Sequence, residues 1–218
     1  FEGTVRLLFQ PGEEKNPGGA SYMIRDGALE NPRPSAIMGQ HVFPLLPVGK
    51  IGFREGMYMA SADEIYLKVI GKGGHGAAPD LCIDPIVIAS HIIIALQQII
   101  SRNANPRQPT VLTFGNIIGQ GATNIIPNEV NIAGTFRAMN EEWRESALVK
   151  IEKMAKGIAE GMGGKCDVNI SRGYPYLENN PELTRRIRAA AEEYVGKDNV
   201  VDLEISLGAE DFSYYSQV

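Results

Sequence analysis

The order of predicted elements between residues 61 and 173 constrains the fold more than any other feature of the chain. A half-buried strand, Glu64–Ile70, alternates polar and apolar residues, and a long helix, Pro85–Ser101, begins with a proline. Further predicted elements are strands at 110–118, 129–137 and 166–171 and a second helix at 140–161. The order β-α-β-β-α-β is typical of the ferredoxin-like fold. We therefore predict a self-contained α+β domain at residues 61–173.

The residues on either side of this domain alternate strands and helices, which indicates an α/β domain. The predicted elements are a buried strand at Val5–Phe9, a helix at Gly18–Gly27, a strand at Ala36–Met38, a helix at Glu182–Val195 and a short strand at Val200–Ile205. We expect residues 1–60 and 174–218 to form one α/β domain that carries residues 61–173 as an insertion. The abrupt start and stop of the chain predict an internal piece of a longer protein, truncated at both ends.

Composition excludes several classes of protein. The chain has 218 residues, of which 44% are hydrophobic and 22% charged, as in a globular protein. A net charge of −5 without a basic block argues against nucleic acid as a partner. Polar residues interrupt the longest apolar run, Ile86–Ile100, so no membrane span is predicted. The two cysteines, Cys82 and Cys166, predict no disulfide framework and fit a cytoplasmic protein.

Two adjacent acids, Glu13 and Glu14, follow the Pro11-Gly12 turn at the end of the predicted strand Val5–Phe9. Like charges side by side contribute nothing to packing, whereas chemistry gives them a use. One carboxylate can hold a metal ion while the other takes a proton from water on that metal. A solvated acidic turn is the alternative interpretation.

A second polar residue, His41, also follows an apolar stretch that we predict as a strand. Histidine is the commonest metal ligand in proteins, and ligands collect at strand ends in open α/β sheets. The alternative is a half-buried loop histidine. The residues alone leave both interpretations open.

Six segments resemble, in order and approximate spacing, the M20 metallopeptidases, and in particular their amidohydrolase branch. They are Phe9–Glu14, Gly39–Val42, Gly73–Pro79, Ala122–Pro127, Gly134–Arg137 and Gly208–Phe212. That branch contains hippurate hydrolases, aminoacylases, indole-acetyl-amino-acid hydrolases and N-acetyldiaminopimelate deacetylases. The resemblance implies a zinc-peptidase-like α/β domain with an inserted lid and dimerisation domain. It also implies that metal-activated water cleaves the amide bond of N-acyl amino acids.

The resemblance assigns roles to residues of the acidic turn. It implies Glu13 as the catalytic base and Glu14 and His41 as metal ligands, most simply for two zinc ions, with manganese, cobalt or nickel as alternatives. The family's other ligands come from a Cys-Gly-His-Asp segment and a further histidine, and neither lies in this chain. We therefore expect the fragment itself to hold an incomplete metal site and to be inactive.

Three residues of the inserted domain also gain roles from the resemblance. It implies that His75 stabilises the oxyanion in a partner subunit's active site, and that Asn124 and Arg137 bind the substrate's α-carboxylate. From the residues alone, they are an exposed loop histidine, a turn residue and a surface charge. The broad apolar face of the helix around His91 predicts a homodimer through this domain, with His91 itself a packing residue.

Glu210 and Asp211 match a family segment near the metal site, with support of a metal ligand as one role open to them. Two other functions remain open at this point. The chain could be a non-catalytic dimerising module, or part of a dipeptidase of the same superfamily.

Overall fold

A computed structural model describes residues 2–218. The helices, in chain order, are α1 (Gly19–Arg25), α2 (Pro85–Gln98), α3 (Glu141–Gly161) and α4 (Pro181–Val195). The strands are β1 (Ile51–Phe53), β2 (Gly56–Met59), β3 (Asp63–Ile70), β4 (Gly74–His75), β5 (Thr110–Ile118), β6 (Ile125–Ile126), β7 (Glu129–Ala138), β8 (Lys165–Arg172), β9 (Leu177–Asn179) and β10 (Val200–Asp202). Contacts divide the chain into two compact units. Unit 1 comprises the residues up to Ala60 together with Tyr174–Val218, and unit 2 comprises Ser61–Gly173.

Unit 2 is built on a four-stranded antiparallel sheet in the order β5-β7-β3-β8. With the helices α2 and α3, this order is that of a ferredoxin-like domain, so the fold predicted for residues 61–173 is confirmed. Each predicted strand and helix is present, and the bounds agree to within two residues except at the end of α2, which lies three residues before the predicted Ser101. The last turn of the first helix continues as a π-helix, Ile99–Asn103, which was predicted as ordinary α-helix up to Ser101.

The core of unit 2 lies between the sheet and its two helices. Strand β3 alternates buried and exposed residues, and Ile65, Leu67 and Val69 are almost fully buried. Helix α3 begins where the sequence predicts, because the Asn140 side chain accepts a hydrogen bond of 2.8 Å from the Trp143 amide. The residues that pack with β3 from the helices include Ile88, Ile92, Leu96, Leu148 and Ile151.

A buried ion pair that the sequence did not reveal joins β3 to α3. Arg144 donates to both oxygens of Asp63, from Nε to Oδ2 and from Nη2 to Oδ1, each at 2.7 Å. Arg144 also donates to the Gly173 carbonyl at 3.0 Å and to Glu141 at 2.9 Å. Burial by itself lowers the pKa of Arg144, but the hydrogen bonds and charge of Asp63 outweigh it and raise the pKa. These hydrogen bonds connect α3 to β3 and to Gly173, the residue that follows β8.

The segment Pro85–Asn103 is long and apolar enough to cross a membrane by length and composition, with a mean hydropathy of 1.4, contrary to the sequence prediction. One side of it, with Ile88, Ile92 and Leu96, lies in the core of unit 2, as expected of a core helix in a globular domain. This feature is therefore weak evidence for a membrane. His91 lies on the exposed side, outside the core of unit 2, with its Nδ1 2.9 Å from the Val87 carbonyl, so its packing role in a homodimer stays a prediction.

Unit 1 contains two short two-stranded sheets, β1 with β10 in parallel and β2 with β9 antiparallel. Helices α1 and α4 lie close to their predicted positions, and β10 covers the first half of the predicted strand Val200–Ile205. Strands β1, β2 and β9 were not predicted. The mixture of helices and sheets agrees with the predicted α/β class.

Two predicted strands of unit 1 are absent. Val5–Phe9 has no strand assignment and pairs with no strand among the described residues, and Val5, Leu7 and Phe9 are 69–87% exposed. Ala36–Met38 also lacks a strand assignment. An apolar extended segment becomes a buried strand only when a neighbouring strand and a covering layer are present. Within residues 2–218 neither segment has that partner.

Candidate functional site

Segments from the two ends of unit 1 meet around Glu13. One oxygen of each of the carboxylates Glu13, Glu210 and Asp211 lies within 4.8 Å of the others. Glu13 follows the Pro11-Gly12 turn, and the other two acids open the 3₁₀ helix Asp211–Gln217. The structure therefore places the predicted base beside the pair of acids whose role the sequence left open.

His41 lies beside Glu210, with 3.6 Å between its Nε2 and the Glu210 Oε2. Its other ring nitrogen, Nδ1, is 2.7 Å from the Val42 carbonyl, which can only accept a hydrogen bond. In the neutral ring Nδ1 therefore carries the proton, and Nε2 presents a lone pair toward a carboxylate. A lone pair facing a carboxylate oxygen is unfavourable unless a proton or a metal cation lies between them.

The local electrostatics raise the pKa of two of these acids, Glu13 and Glu210. Burial raises the pKa of Glu13, the charges of Glu210, Glu14 and Asp211 raise it further, and His41 opposes them. Burial also raises the pKa of Glu210, against a hydrogen bond from the Phe212 amide that lowers it. Such crowding of carboxylates stores repulsion that a cation would relieve.

Tyr174 is a further residue of this cluster, and no local sequence pattern points to it. Its hydroxyl donates a hydrogen bond to the Glu13 backbone carbonyl. Burial raises the pKa of Tyr174 to about 12, and the charge of Glu13 adds to the effect. The phenol therefore remains a donor at neutral pH and holds the acidic turn in place.

The chemistry of these side chains fits a divalent metal ion. Carboxylate oxygens and an imidazole Nε2 lone pair are ordinary ligands for zinc and related ions. Glu13, His41, Glu210 and Asp211 supply such atoms in one cluster. Glu14, predicted as a ligand, is exposed and lies outside the cluster of three acids, although its charge acts on Glu13. Its role as a ligand stays a prediction.

The other predicted site residues belong to unit 2. His75 pairs with Ile125 between β4 and β6, and the Gly76 amide donates to the Asn124 carbonyl at 2.8 Å. His75 and Asn124 are thus neighbours on one exposed ribbon. The His75 Nδ1 accepts a hydrogen bond of 3.1 Å from the Ala77 amide, which leaves Nε2–H as the donor of the neutral ring. Arg137 lies farther along the chain, on β7, where it pairs with Val111 of β5.

Comparison with known proteins identifies the family of this chain. The model of peptidase family M20/M25/M40 matches residues 1–218. The chain is similar to an N-acetyl-L-cysteine deacetylase of Bacillus subtilis, with 39% identity over 99% of this chain and 50% of the relative. It is 37% identical to an N-acetyldiaminopimelate deacetylase of Bacillus cytotoxicus, over 98% of this chain and 56% of the relative. The chain spans about half the length of these curated relatives.

A solved structure of similar fold agrees with this result. It is a Bacillus subtilis protein described as a dinuclear metal-binding peptidase of the M20 family. The TM-score is 0.74 at 31% identity, over 96% of this chain and 51% of that one.

Proposed function

Because the chain belongs to peptidase family M20/M25/M40, we propose that its parent protein is a metal-dependent amidohydrolase that cleaves the amide bond of N-acyl amino acids. The observation that carries this proposal is the approach of His41 to Glu210 beside Glu13. The cluster joins an imidazole lone pair to three carboxylates. They suit a cation and a base for hydrolysis.

Glu13 is the proposed general base. Its raised pKa gives the carboxylate a stronger affinity for a proton than a solvated glutamate has, which suits proton transfer from water. The water oxygen then bonds to the carbonyl carbon, the C–N bond breaks, and Glu13 returns the proton to the leaving nitrogen. Glu14, His41 and Glu210 would hold a divalent cation, for which we propose zinc over manganese, cobalt or nickel. When bound, the cation supplies Lewis acidity to the water and the carbonyl.

The substrate class is proposed from the relatives and from unit 2. Two relatives are deacetylases of N-acetyl amino acids by name. Arg137 and Asn124 offer donors for the α-carboxylate that such substrates carry, and a guanidinium suits a carboxylate best. His75 offers its Nε2–H to an amide oxygen, a role consistent with the Ala77 hydrogen bond to Nδ1.

A second copy of the chain is the proposed partner, and the cytoplasm is the proposed location. Helix α2 exposes Ile86, Val87 and Ile94, and the edge strand β5 exposes Ile117 and Ile118. Ile86 lies beside Gly119, at the end of β5, so the two apolar groups are neighbours. Exposed apolar surface at a sheet edge favours self-association. Size-exclusion chromatography with light scattering measures the mass, and a monomer at micromolar concentration contradicts the dimer.

The function is tested by zinc titration and by hydrolysis of N-acetyl amino acids with the full-length parent protein. We expect Glu13→Gln to keep zinc binding and to lower turnover by about two to four orders of magnitude, the scale of a lost general base. Glu193→Gln, an exposed acid of α4, is the matched control and should match the parent. Zinc binding without hydrolysis by the full-length parent protein would instead favour the non-catalytic module. Equal turnover of dipeptides would favour the dipeptidase.

A further inference from the structure

Asp211 is the most enclosed member of the acidic cluster. Its side chain is fully buried, and both of its oxygens already accept hydrogen bonds. Gln10 donates from Nε2 to Oδ1 at 2.6 Å, and the Ala20 amide donates to Oδ2 at 3.0 Å. The two hydrogen bonds and the full burial hold this carboxylate in one orientation, with one of its oxygens close to those of Glu13 and Glu210.

The orientation of Gln10 is fixed from its other side. The Tyr215 hydroxyl donates to the Gln10 Oε1 at 3.0 Å, so the carboxamide must direct Nε2 at Asp211. Tyr215 and Asp211 both belong to the 3₁₀ helix Asp211–Gln217, while Gln10 lies three residues before Glu13. Gln10 therefore bridges two groups of one helix to the segment that carries the base.

Backbone packing leaves this arrangement no room to relax. A Cβ at Gly18 would lie 2.4 Å from the Asp211 Oδ2, and Gly18 has φ +79°. A Cβ at Gly19 would lie 1.7 Å from the Pro11 carbonyl oxygen. Glycines thus allow the start of α1, the Gln10-Pro11 segment and Asp211 to meet at backbone distance.

We propose that Asp211 is a positioning residue that, with Gln10, fixes Glu210 beside His41 and Glu13 and does not itself bind a cation. The proposal rests on the proposed function, since it assigns a task to the same site. Glu210 is the chain neighbour of Asp211, and Gln10 is close in sequence to Glu13. A hydrogen bond between Gln10 and Asp211 consequently sets the distance between the two halves of the site.

The experiment exchanges the carboxamide of Gln10 and the carboxylate of Asp211. In Asp211→Asn alone, the new amide group faces a hydrogen-bond donor, either Gln10 Nε2 or the Ala20 amide. In Gln10→Glu alone, the new carboxylate faces the carboxylate of Asp211. The double variant restores every hydrogen bond, with the direction of the bond between positions 10 and 211 reversed. The new amide at position 211 donates to the new carboxylate at position 10 and still accepts from the Ala20 amide, and that carboxylate still accepts from the Tyr215 hydroxyl. We expect each single variant to lower the melting temperature by about 5–10 °C and the double variant to regain most of it.

The readout specific for positioning is the NMR signal of His41. The chain has three histidines, so selective ¹³C and ¹⁵N labelling gives three ring signals, and His41→Gln assigns the one of interest. Glu210→Gln defines the signal of His41 without the neighbouring charge. We expect Asp211→Asn to move the His41 signal most of the way to that reference, and the double variant to restore the parental signal.

The outcomes show whether or not Asp211 positions Glu210 beside His41. A folded Asp211→Asn variant with the parental His41 signal would overturn the proposal. If the single variants do not fold, the double variant decides: the parental signal supports the proposal, and the Glu210→Gln signal or a failure to fold overturns it.

Zinc titration separates positioning from ligation. We expect Asp211→Asn to weaken zinc binding by about 10–100-fold, as for lost partners of ligands, and the double variant to recover. A double variant that is stable but still weak would make Asp211 a ligand and overturn the proposal. If the full-length parent protein binds no zinc, the proposed function fails, while the His41 signal still decides the role of Asp211.

Discussion

Arg144 and Asp63 form a two-pronged ion pair inside unit 2, with both N–H···O distances at 2.7 Å and side-chain exposures of 5% and 0%. Arg172 and Glu145 form a similar fork on the surface, with exposures of 53% and 52%. The same pairing of an arginine with a carboxylate thus occurs twice in one domain, once buried and once exposed to solvent.

Burial should decide the energetic value of these two forks. We expect Arg144→Met to lower the free energy of unfolding by about 3–5 kcal/mol, because it leaves the Asp63 carboxylate buried and unpaired. Arg172→Met should cost less than about 1 kcal/mol, since water solvates Glu145 in its place. Urea unfolding followed by circular dichroism measures both. Equal losses would show that burial is not the determining factor.

Gly18 should tolerate no side chain. Gly18 and Gly49 both have positive φ, but a Cβ at Gly49 meets no atom within 4 Å, whereas one at Gly18 meets Asp211. We expect Gly49→Ala to cost about 1 kcal/mol from backbone strain. Gly18→Ala should cost about 1–3 kcal/mol more from the clash. The difference between the two melting temperatures measures the clash itself, and identical values would contradict the packing of Asp211 against Gly18.

Glu13 should make stability depend on pH. Its pKa in the folded protein is raised above the ordinary 4.5, so the folded state binds this proton more tightly than the unfolded state does. Stability therefore falls as the pH rises through the window between 4.5 and the raised value. Glu13→Gln removes the charge, so this variant should melt above the parent at neutral pH. The advantage should vanish below the window. A lower melting temperature for Glu13→Gln at neutral pH would contradict this electrostatic strain.

Two fully buried serines should respond oppositely to truncation. The Ser61 hydroxyl accepts a hydrogen bond of 3.1 Å from the Ala138 amide, whereas the Ser213 hydroxyl has no partner among the described residues. We expect Ser61→Ala to cost about 1–3 kcal/mol because an amide loses its acceptor. Ser213→Ala should be neutral or stabilising, since an unpaired polar atom leaves the interior. Thermal unfolding of both variants checks the contrast, and a large loss at Ser213 would reveal a hidden partner.

The sequence predicted unit 2 well because its signals are local. The alternation in Glu64–Ile70, the proline that opens α2 and the Asn140 cap of α3 each act within a few residues. Unit 1 was predicted less well, because a strand such as Val5–Phe9 is defined by a partner that local sequence does not reveal. The unpredicted strands β1, β2 and β9 have only three or four residues, too few for a periodic pattern.

The site was predicted in part for the same reason. Glu13 and His41 stand out by their positions after apolar segments, and the structure does bring them to one cluster. Tyr174 and the Gln10–Asp211 hydrogen bond could not be predicted from local pattern, since partners 161 and 201 residues apart meet only after folding. The buried pair Asp63–Arg144 was missed on the same grounds, at a separation of 81 residues.

The pairing of Asp63 with Arg172 across β3 and β8 has a consequence for biosynthesis. The polypeptide enters and leaves unit 2 at adjacent points, so a finished unit 2 spans only the spacing between two neighbouring strands, about 5 Å. On the ribosome unit 2 emerges whole before the second half of unit 1 does. Once folded, unit 2 would hold the two chain segments of unit 1 close together, which lowers the entropic cost of joining them. Early folding of unit 2 would therefore aid folding of the part of the chain that holds Glu13 and Glu210.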